Sequence, residues 1–411
     1  MRILVVSGEY PPMKGGVGRY TYNLVNALKR RNNIDIFVAM SNRKNQTITA
    51  TTTTTLSNSP SSSSSSSFSN GIYYDIVNKG DKQNSDRLLN LIDELKPDIV
   101  NIQYERGLYE IDTTIRHMAR RLIYGSTLDK FYKLCPVPTV STLHTVLPYN
   151  EYQDYIKEIA VKKVGRFAGL PRPLRAAIRR LVLEKRYKLL LEIVNLSKEI
   201  ISLAKSNQAL VKRGTVIYHG AESAPSLSAQ NKHEYRREFG LPIDKRLLLA
   251  FGYVGSYKGF DILSNLKLPD DWSLVIKQNK HERGIEQPIH IKNAINLHLG
   301  YLDDLTLSKL FFACDAIIFP YRVVSISGVL FDALAHGLPF VASDLSFFQE
   351  FAQMDLGITC SRQAKSFSDS LINLDNNYEK YHTRVLQFNP KLRWDNIADD
   401  YINFFSKILN S

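Results

Sequence analysis

The chain opens on an apolar run, Ile3-Leu4-Val5-Val6, then turns through a Pro- and Gly-rich stretch, Tyr10 to Tyr20 (YPPMKGGVGRY), into the helical pattern YTYNLVNALKRR. The next apolar run is IDIFVAM. Strand, glycine-rich loop, helix and strand form a βαβ unit, which starts a doubly wound parallel sheet. LLNLIDELKP predicts a helix, DIVNIQY a strand, and VPTVSTLHT a strand with a polar end. Ligands of such sheets lie beyond the carboxyl ends of the strands, where Gln103, Glu105 and His144 fall.

A second alternation starts after a polar stretch at residues 223–232. It runs RLLLAFGYV strand, KGFDILSNL helix, WSLVIKQ strand, INLHLGYL strand, LTLSKLFFA helix, DAIIFPY strand, SGVLFDALAHG helix and PFVASD strand. That predicts a second parallel α/β domain. A last helical pattern, RWDNIADDYINFFSKIL, sets Ile397, Tyr401, Phe404, Phe405 and Ile408 on one face, as a closing helix would. The expected domains are therefore 1–214, 215–390 and a closing helix 391–411. Residues 47–69 are nearly all Ser and Thr, with five consecutive Thr and seven consecutive Ser. So few apolar groups predict a disordered surface insertion near 45–70.

At 411 residues, 44% hydrophobic and 23% charged, the composition is that of a folded globular protein with room for two cores. Three scattered cysteines, Cys135, Cys314 and Cys360, exclude a disulfide framework and fit a reducing compartment. The short apolar start is no signal peptide and no apolar run reaches about 18 residues, so a cytoplasmic protein is expected.

Charge changes the picture in one place. The net charge is +13, and residues 157–188 hold eleven Lys or Arg against Glu158 and Glu184, a net +9. Such a concentration reads as a surface for an anionic partner, with a solvated helix face as the alternative. Leu174, Ile178, Leu181 and Val182 recur among the arginines at helical spacing, which suits an anionic membrane surface. No interleaved aromatic platform supports nucleic acid.

Two segments of the second domain can hold phosphate. Gly252 to Gly259 (GYVGSYKG) lies between a strand and a helix, where Gly255 lets amides approach and Lys258 adds a mobile charge; an ordinary turn fits equally well. Gly328 opens a helix after DAIIFPY, so that Ser327 and the amides of Gly328 and Val329 can grip a phosphate. Asp332, one turn later, can accept from ribose hydroxyls or stand as a solvated helix position.

In their order and spacing, EYPPMKGGVGRYTYNL, STLHTVLP, VIYHGAE, FGYVGSYKGFDIL, HLGYLDD, CDAIIFPYR and SGVLFDALAHGLPFVASD resemble glycosyltransferase family 4 over nearly the full chain. The resemblance implies a GT-B fold, two Rossmann-like domains facing a cleft with the C-terminal helix packing back towards the first. It also implies a retaining, hexosyltransferase-type enzyme using a nucleoside-diphosphate sugar. By the same likeness, Gly15, Gly16 and Gly18 approach acceptor and donor phosphate, Lys258 contacts the diphosphate and Asp332 holds the ribose. His144 resembles a cleft histidine, a satisfied strand-end residue being the alternative; Gln103 or Glu105 would orient an acceptor hydroxyl.

The chain departs from the family at three points. Val324 stands where many members have a first glutamate, eight residues before Asp332. Gly255 and Ser256 stand where an arginine commonly partners the lysine, with Arg322 as a substitute, and His219 replaces a hinge asparagine. Weakened donor-sugar contacts, not inactivity, are expected. Transfer would need no metal or other cofactor, and the acceptor would be a glycan or a lipid-linked sugar at the inner face of a membrane. The rival readings are a degenerate sugar-nucleotide-binding protein and a nucleotide-sugar epimerase on the same fold.

Overall fold

The computed structural model describes residues 1–13, 15–41, 65–68, 71–110, 126–155, 171, 173–174, 177, 180–181, 184, 196–211, 213–279 and 287–411. Two compact units emerge. The first comprises 1–146, 164–220 and 394–411, the second 147–163 and 221–393.

In the first unit eight strands form one sheet in the order β3-β4-β2-β1-β5-β6-β7-β8. They are β1 (Arg2–Ser7), β2 (Asp35–Met40), β3 (Ser65–Phe68), β4 (Gly71–Asp75), β5 (Ile99–Tyr104), β6 (Thr139–Leu143), β7 (Glu199–Ser202) and β8 (Thr215–Val216). All pair in parallel except β3, which runs antiparallel to β4 at the edge. That edge strand corrects the expectation of disorder for 47–69 at Ser65–Phe68. An open edge offers unpaired N–H and C=O groups that even a serine run can meet. The rest of that insertion lies outside the described residues.

The helix Gly16–Lys29 buries Tyr20, Leu24, Val25 and Leu28 along one stripe, as its pattern predicts. The closing helix Trp394–Leu409 packs on this unit, burying Ile397, Tyr401, Phe405 and Ile408. Arg31 pairs with Asp399 (2.6 Å) and Asp395 (3.0 Å) across the two helices. Gly220 is tied to the same helix, since a Cβ there would stand 2.4 Å from the Trp394 ring.

The second unit has six parallel strands in the order β11-β10-β9-β12-β13-β14. They are β9 (Arg246–Tyr253), β10 (Trp272–Asn279), β11 (Ile295–Asn296), β12 (Ala316–Phe319), β13 (Phe340–Ser343) and β14 (Gly357–Cys360). Leu248, Ala250, Leu274, Ile276, Ile318 and Val341 build one side of its core.

Three expectations change here. KGFDILSNL forms two 3-10 turns, Ser256–Lys258 and Phe260–Asn265, because Gly259 in a left-handed conformation (φ +66°) interrupts it. INLHLGYL is strand only at Ile295–Asn296. The tract Leu147–Tyr155 belongs with this unit rather than with 1–214: the Glu151 carboxylate accepts from the Ser346 amide (2.7 Å) and hydroxyl.

Candidate functional site

Strand order fixes where each unit can bind a ligand. The first sheet reverses direction at β1, flanked by β2 and β5, and the second at β9, flanked by β10 and β12. The crevice beyond the carboxyl ends at such a reversal is the natural ligand position. In both units a glycine-rich loop follows the reversing strand.

In the first unit that loop is closed by its own carboxylate. Glu9 accepts from the Gly18 amide (2.9 Å), in the first turn of the helix Gly16–Lys29, where the helix dipole favours an anion. A Cβ on Gly15 would lie 1.8 Å from the Glu9 carboxylate, whereas one on Gly16 would meet nothing within 4 Å. Glu9 was not legible as a site residue in the sequence. Beside it, at the end of β5, Glu105 accepts from the Gly107 amide (3.2 Å). Burial raises its pKa, and the charge of Glu9 adds to that, against hydrogen bonds from Thr145 and Gly107.

Gln103 faces inward. It is 0% exposed, donates to Asn101 Oδ1 (2.5 Å) and accepts from His144 Nε2 (2.9 Å). This corrects its expected contact with an acceptor: its amide is consumed, and what it orients is the His144 ring. Because Gln103 Oε1 accepts, Nε2 carries the proton and Nδ1 keeps its lone pair. Burial, and then His219, lower the His144 pKa to about 3, so the ring is neutral at physiological pH. Tyr20 holds that ring edge-on at 4.9 Å and His219 at 4.8 Å, and its hydroxyl meets Tyr401 at 2.9 Å.

The second unit differs in its charges. Gly252 takes φ +148°, which favours glycine, and the Lys258 side chain folds back to within contact of it, 3.5 Å from where a Cβ would stand. Lys258 Nζ lies 3.7 Å from the centre of the Tyr321 ring. It has no carboxylate partner among the described residues, and burial lowers its pKa to about 7. The loop is pinned by Arg322, which donates to the Ser256 carbonyl (2.8 Å) and forks onto Asp261 (2.8 and 2.6 Å). The expected substitute for a loop arginine is thus spent on holding the loop. Gly259 is required: a Cβ there would stand 1.8 Å from the Pro320 carbonyl oxygen.

Ser327 precedes the helix Gly328–Ala335 without capping it, and its buried hydroxyl, like that of Tyr321, has no well-formed hydrogen bond. The first-turn residues Gly328 and Val329 follow it, and Asp332 is 5% exposed one turn on. A Cβ on Gly255 would stand 2.4 Å from the Tyr257 ring, so a side chain there would displace that ring. Lys258, Tyr321, Ser327 and Gly328 thus bring together a cation, two neighbouring hydroxyls and a helix start, a set of donors that suits a polyanion.

The chain has the GT-B fold. It aligns along its whole length with sucrose-phosphate synthase from Thermosynechococcus elongatus (TM-score 0.62, 12% identity, 100% of this chain and 99% of that one). UDP-GlcNAc 2-epimerase from Neisseria meningitidis, bound to UDP-GlcNAc, shares the fold as well (TM-score 0.53, 13% identity, 99% and 100% covered). In sequence the chain is 23% identical over 282 residues to an uncharacterized glycosyltransferase of Methanocaldococcus jannaschii, covering 61% of this chain and 68% of that one. No family model matches. GT-B proteins of both kinds, transferase and epimerase, thus lie among its structural neighbours, so the fold leaves the reaction to be argued from the site.

The basic stretch 157–188 falls mostly outside the described residues, though Leu174 and Leu181 within it are 47% and 66% exposed. Among the described residues no helix is long and apolar enough to cross a membrane.

Proposed function

We propose that the chain is a retaining glycosyltransferase that moves a sugar from a nucleoside-diphosphate sugar to a glycan or lipid-linked acceptor. The observation that carries this is the half-buried Lys258, which has no carboxylate partner among the described residues, close to the helix start at Gly328. A partly desolvated ammonium without a counter-ion is costly, and a diphosphate supplies the missing charge. The sugar's anomeric carbon loses its bond to the diphosphate oxygen and gains one to the acceptor oxygen. The acceptor's proton passes to the departing phosphate on the same face. Lys258 and the amides of Gly328 and Val329 offset the negative charge that grows on that phosphate, which requires no metal. Glu105, with its raised pKa, suits contact with an acceptor hydroxyl, and Asp332 with ribose hydroxyls. His144, neutral throughout, serves as a hydrogen-bonding residue rather than a cation.

The test is a panel of nucleoside-diphosphate sugars with glycan and lipid-linked acceptors, with the anomeric configuration of products read by NMR. Transfer with retention, unaffected by EDTA, supports the reading. Epimerisation or hydrolysis without any acceptor contradicts it, as does donor binding that survives both Lys258→Ala and Asp332→Ala. A membrane-borne acceptor is supported by the net +9 of 157–188 and the exposed leucines. Co-sedimentation with anionic, but not neutral, liposomes at low salt is expected; equal sedimentation with both removes that part.

A further inference from the structure

The face of the first sheet that carries Gln103 is polar where a buried parallel sheet is ordinarily apolar. Asn101 and Gln103 lie two residues apart on β5, hence on one face, and Thr142 pairs with Gln103 from β6. All three are buried, and so is Tyr401 of the closing helix, whose hydroxyl meets Thr142 at 2.9 Å. Buried polar groups cost stability unless each is hydrogen-bonded. Leucine would fill such positions at less cost, so what the polar side chains add is direction.

That direction follows atom by atom. A backbone carbonyl only accepts, so the Val140 carbonyl fixes which end of the Asn101 amide faces β6: its nitrogen donates to that carbonyl (3.2 Å) and to Thr142 Oγ1 (3.0 Å). Asn101 Oδ1 then takes the Gln103 nitrogen (2.5 Å), which turns Gln103 Oε1 to His144 Nε2 (2.9 Å). Gln103 also meets the Tyr401 hydroxyl, itself held by Tyr20 at 2.9 Å. All four amide hydrogens of the pair are thus placed. Turning either amide over would set two acceptors against each other, Asn101 against the Val140 carbonyl or Gln103 against Asn101.

We propose that Asn101 is a positioning residue for His144: through Gln103 it sets the ring with its proton on Nε2, so that Nδ1 meets the ligand as an acceptor and the group bound there is a hydroxyl. His144 Nδ1 makes no hydrogen bond among the described residues, and the ring is half-buried, unlike the relay behind it. A sugar hydroxyl can donate to such an atom, whereas a carbonyl or an ionised phosphate oxygen meets it acceptor to acceptor. The identity of the ligand rests on the transferase reading; the setting of the ring rests on the relay alone.

Heteronuclear NMR of the full chain with isotope-labelled histidines reads the ring proton directly, the His144 signals being those lost in His144→Gln. The unaltered chain should show one tautomer, with the proton on Nε2. In Asn101→Leu both tautomers should appear, the second at about a tenth of the population or more, because a hydrogen bond worth about tenfold in equilibrium is lost. Asn101→Asp keeps an oxygen facing the Gln103 nitrogen and therefore keeps the single tautomer, although a buried acid destabilises more than leucine. An Asn101 that served stability alone would give the reverse order. Asn101→Val takes the place of Asn101→Leu should that variant fail to fold. Transfer should fall about 3- to 10-fold in the apolar variant and less in Asn101→Asp. A proton on Nδ1 in the unaltered chain, a single Nε2 tautomer in the folded apolar variant, or undiminished transfer by that variant overturns the inference and leaves the transferase reading intact. If the unaltered chain transfers from no donor to any acceptor, the reading beneath falls and takes the hydroxyl ligand with it, whatever the tautomer.

Discussion

The two glycine-rich loops occupy the same place in two sheets of the same kind, yet they carry opposite charge. Beyond β1 the helix start is filled by the chain's own carboxylate, Glu9 on the Gly18 amide, with Glu105 close by. Beyond β9 the loop holds a half-buried lysine with no acid partner among the described residues. A phosphate would be repelled at the first and drawn to the second. Equivalent topology thus defines where a ligand binds, and the side chain laid across the amides defines which ligand.

The largest effect that can break this comparison is at Lys258. Lys258→Ala is expected to weaken nucleoside-diphosphate binding by about 10- to 100-fold, the worth of a charge-assisted bond. An unchanged Kd would make the two loops equivalent.

Next comes the backbone that shapes the second loop. Gly259→Ala should lower stability by about 2–3 kcal/mol in denaturant unfolding, because φ +66° and the Pro320 carbonyl both exclude a side chain. A loss below about 0.5 kcal/mol would show that the loop relaxes freely.

The smallest effect sharpens the contrast. Glu9→Gln should cost about 0.5–1 kcal/mol of stability, by removing an anion from a helix start, and leave nucleoside-diphosphate affinity within about twofold. Tighter binding in that variant would mean that Glu9 and the ligand phosphate compete for Gly18.

Much of the fold was legible because buried parallel strands are continuous apolar runs, as in Ile3–Val6 and Leu247–Ala250, and because Tyr401, Phe405 and Ile408 share a helical face. Ser65–Phe68 was not, since a serine run carries no strand pattern and only its pairing with β4 marks it as one. The direction of Gln103 was hidden for a related reason: all six residues of β5 are buried, so alternation gives no sign of which face is free. Lys258 could be read from its setting in a strand-to-helix loop, but its lack of a partner is a tertiary fact. Glu9 precedes the motif it caps, and only the folded loop lays it over Gly15 and Gly18.

The decisive measurement counts protons. At pH 8 a lysine with a pKa of about 7 is mostly neutral, and an arriving diphosphate would raise that pKa and return it to the ammonium form. Calorimetry of UDP and GDP binding at pH 8, in buffers of different ionisation enthalpy, should therefore show uptake approaching one proton, and Lys258→Met should abolish it. Binding with no proton uptake, or with the same uptake in the variant, would contradict a diphosphate seated on Lys258.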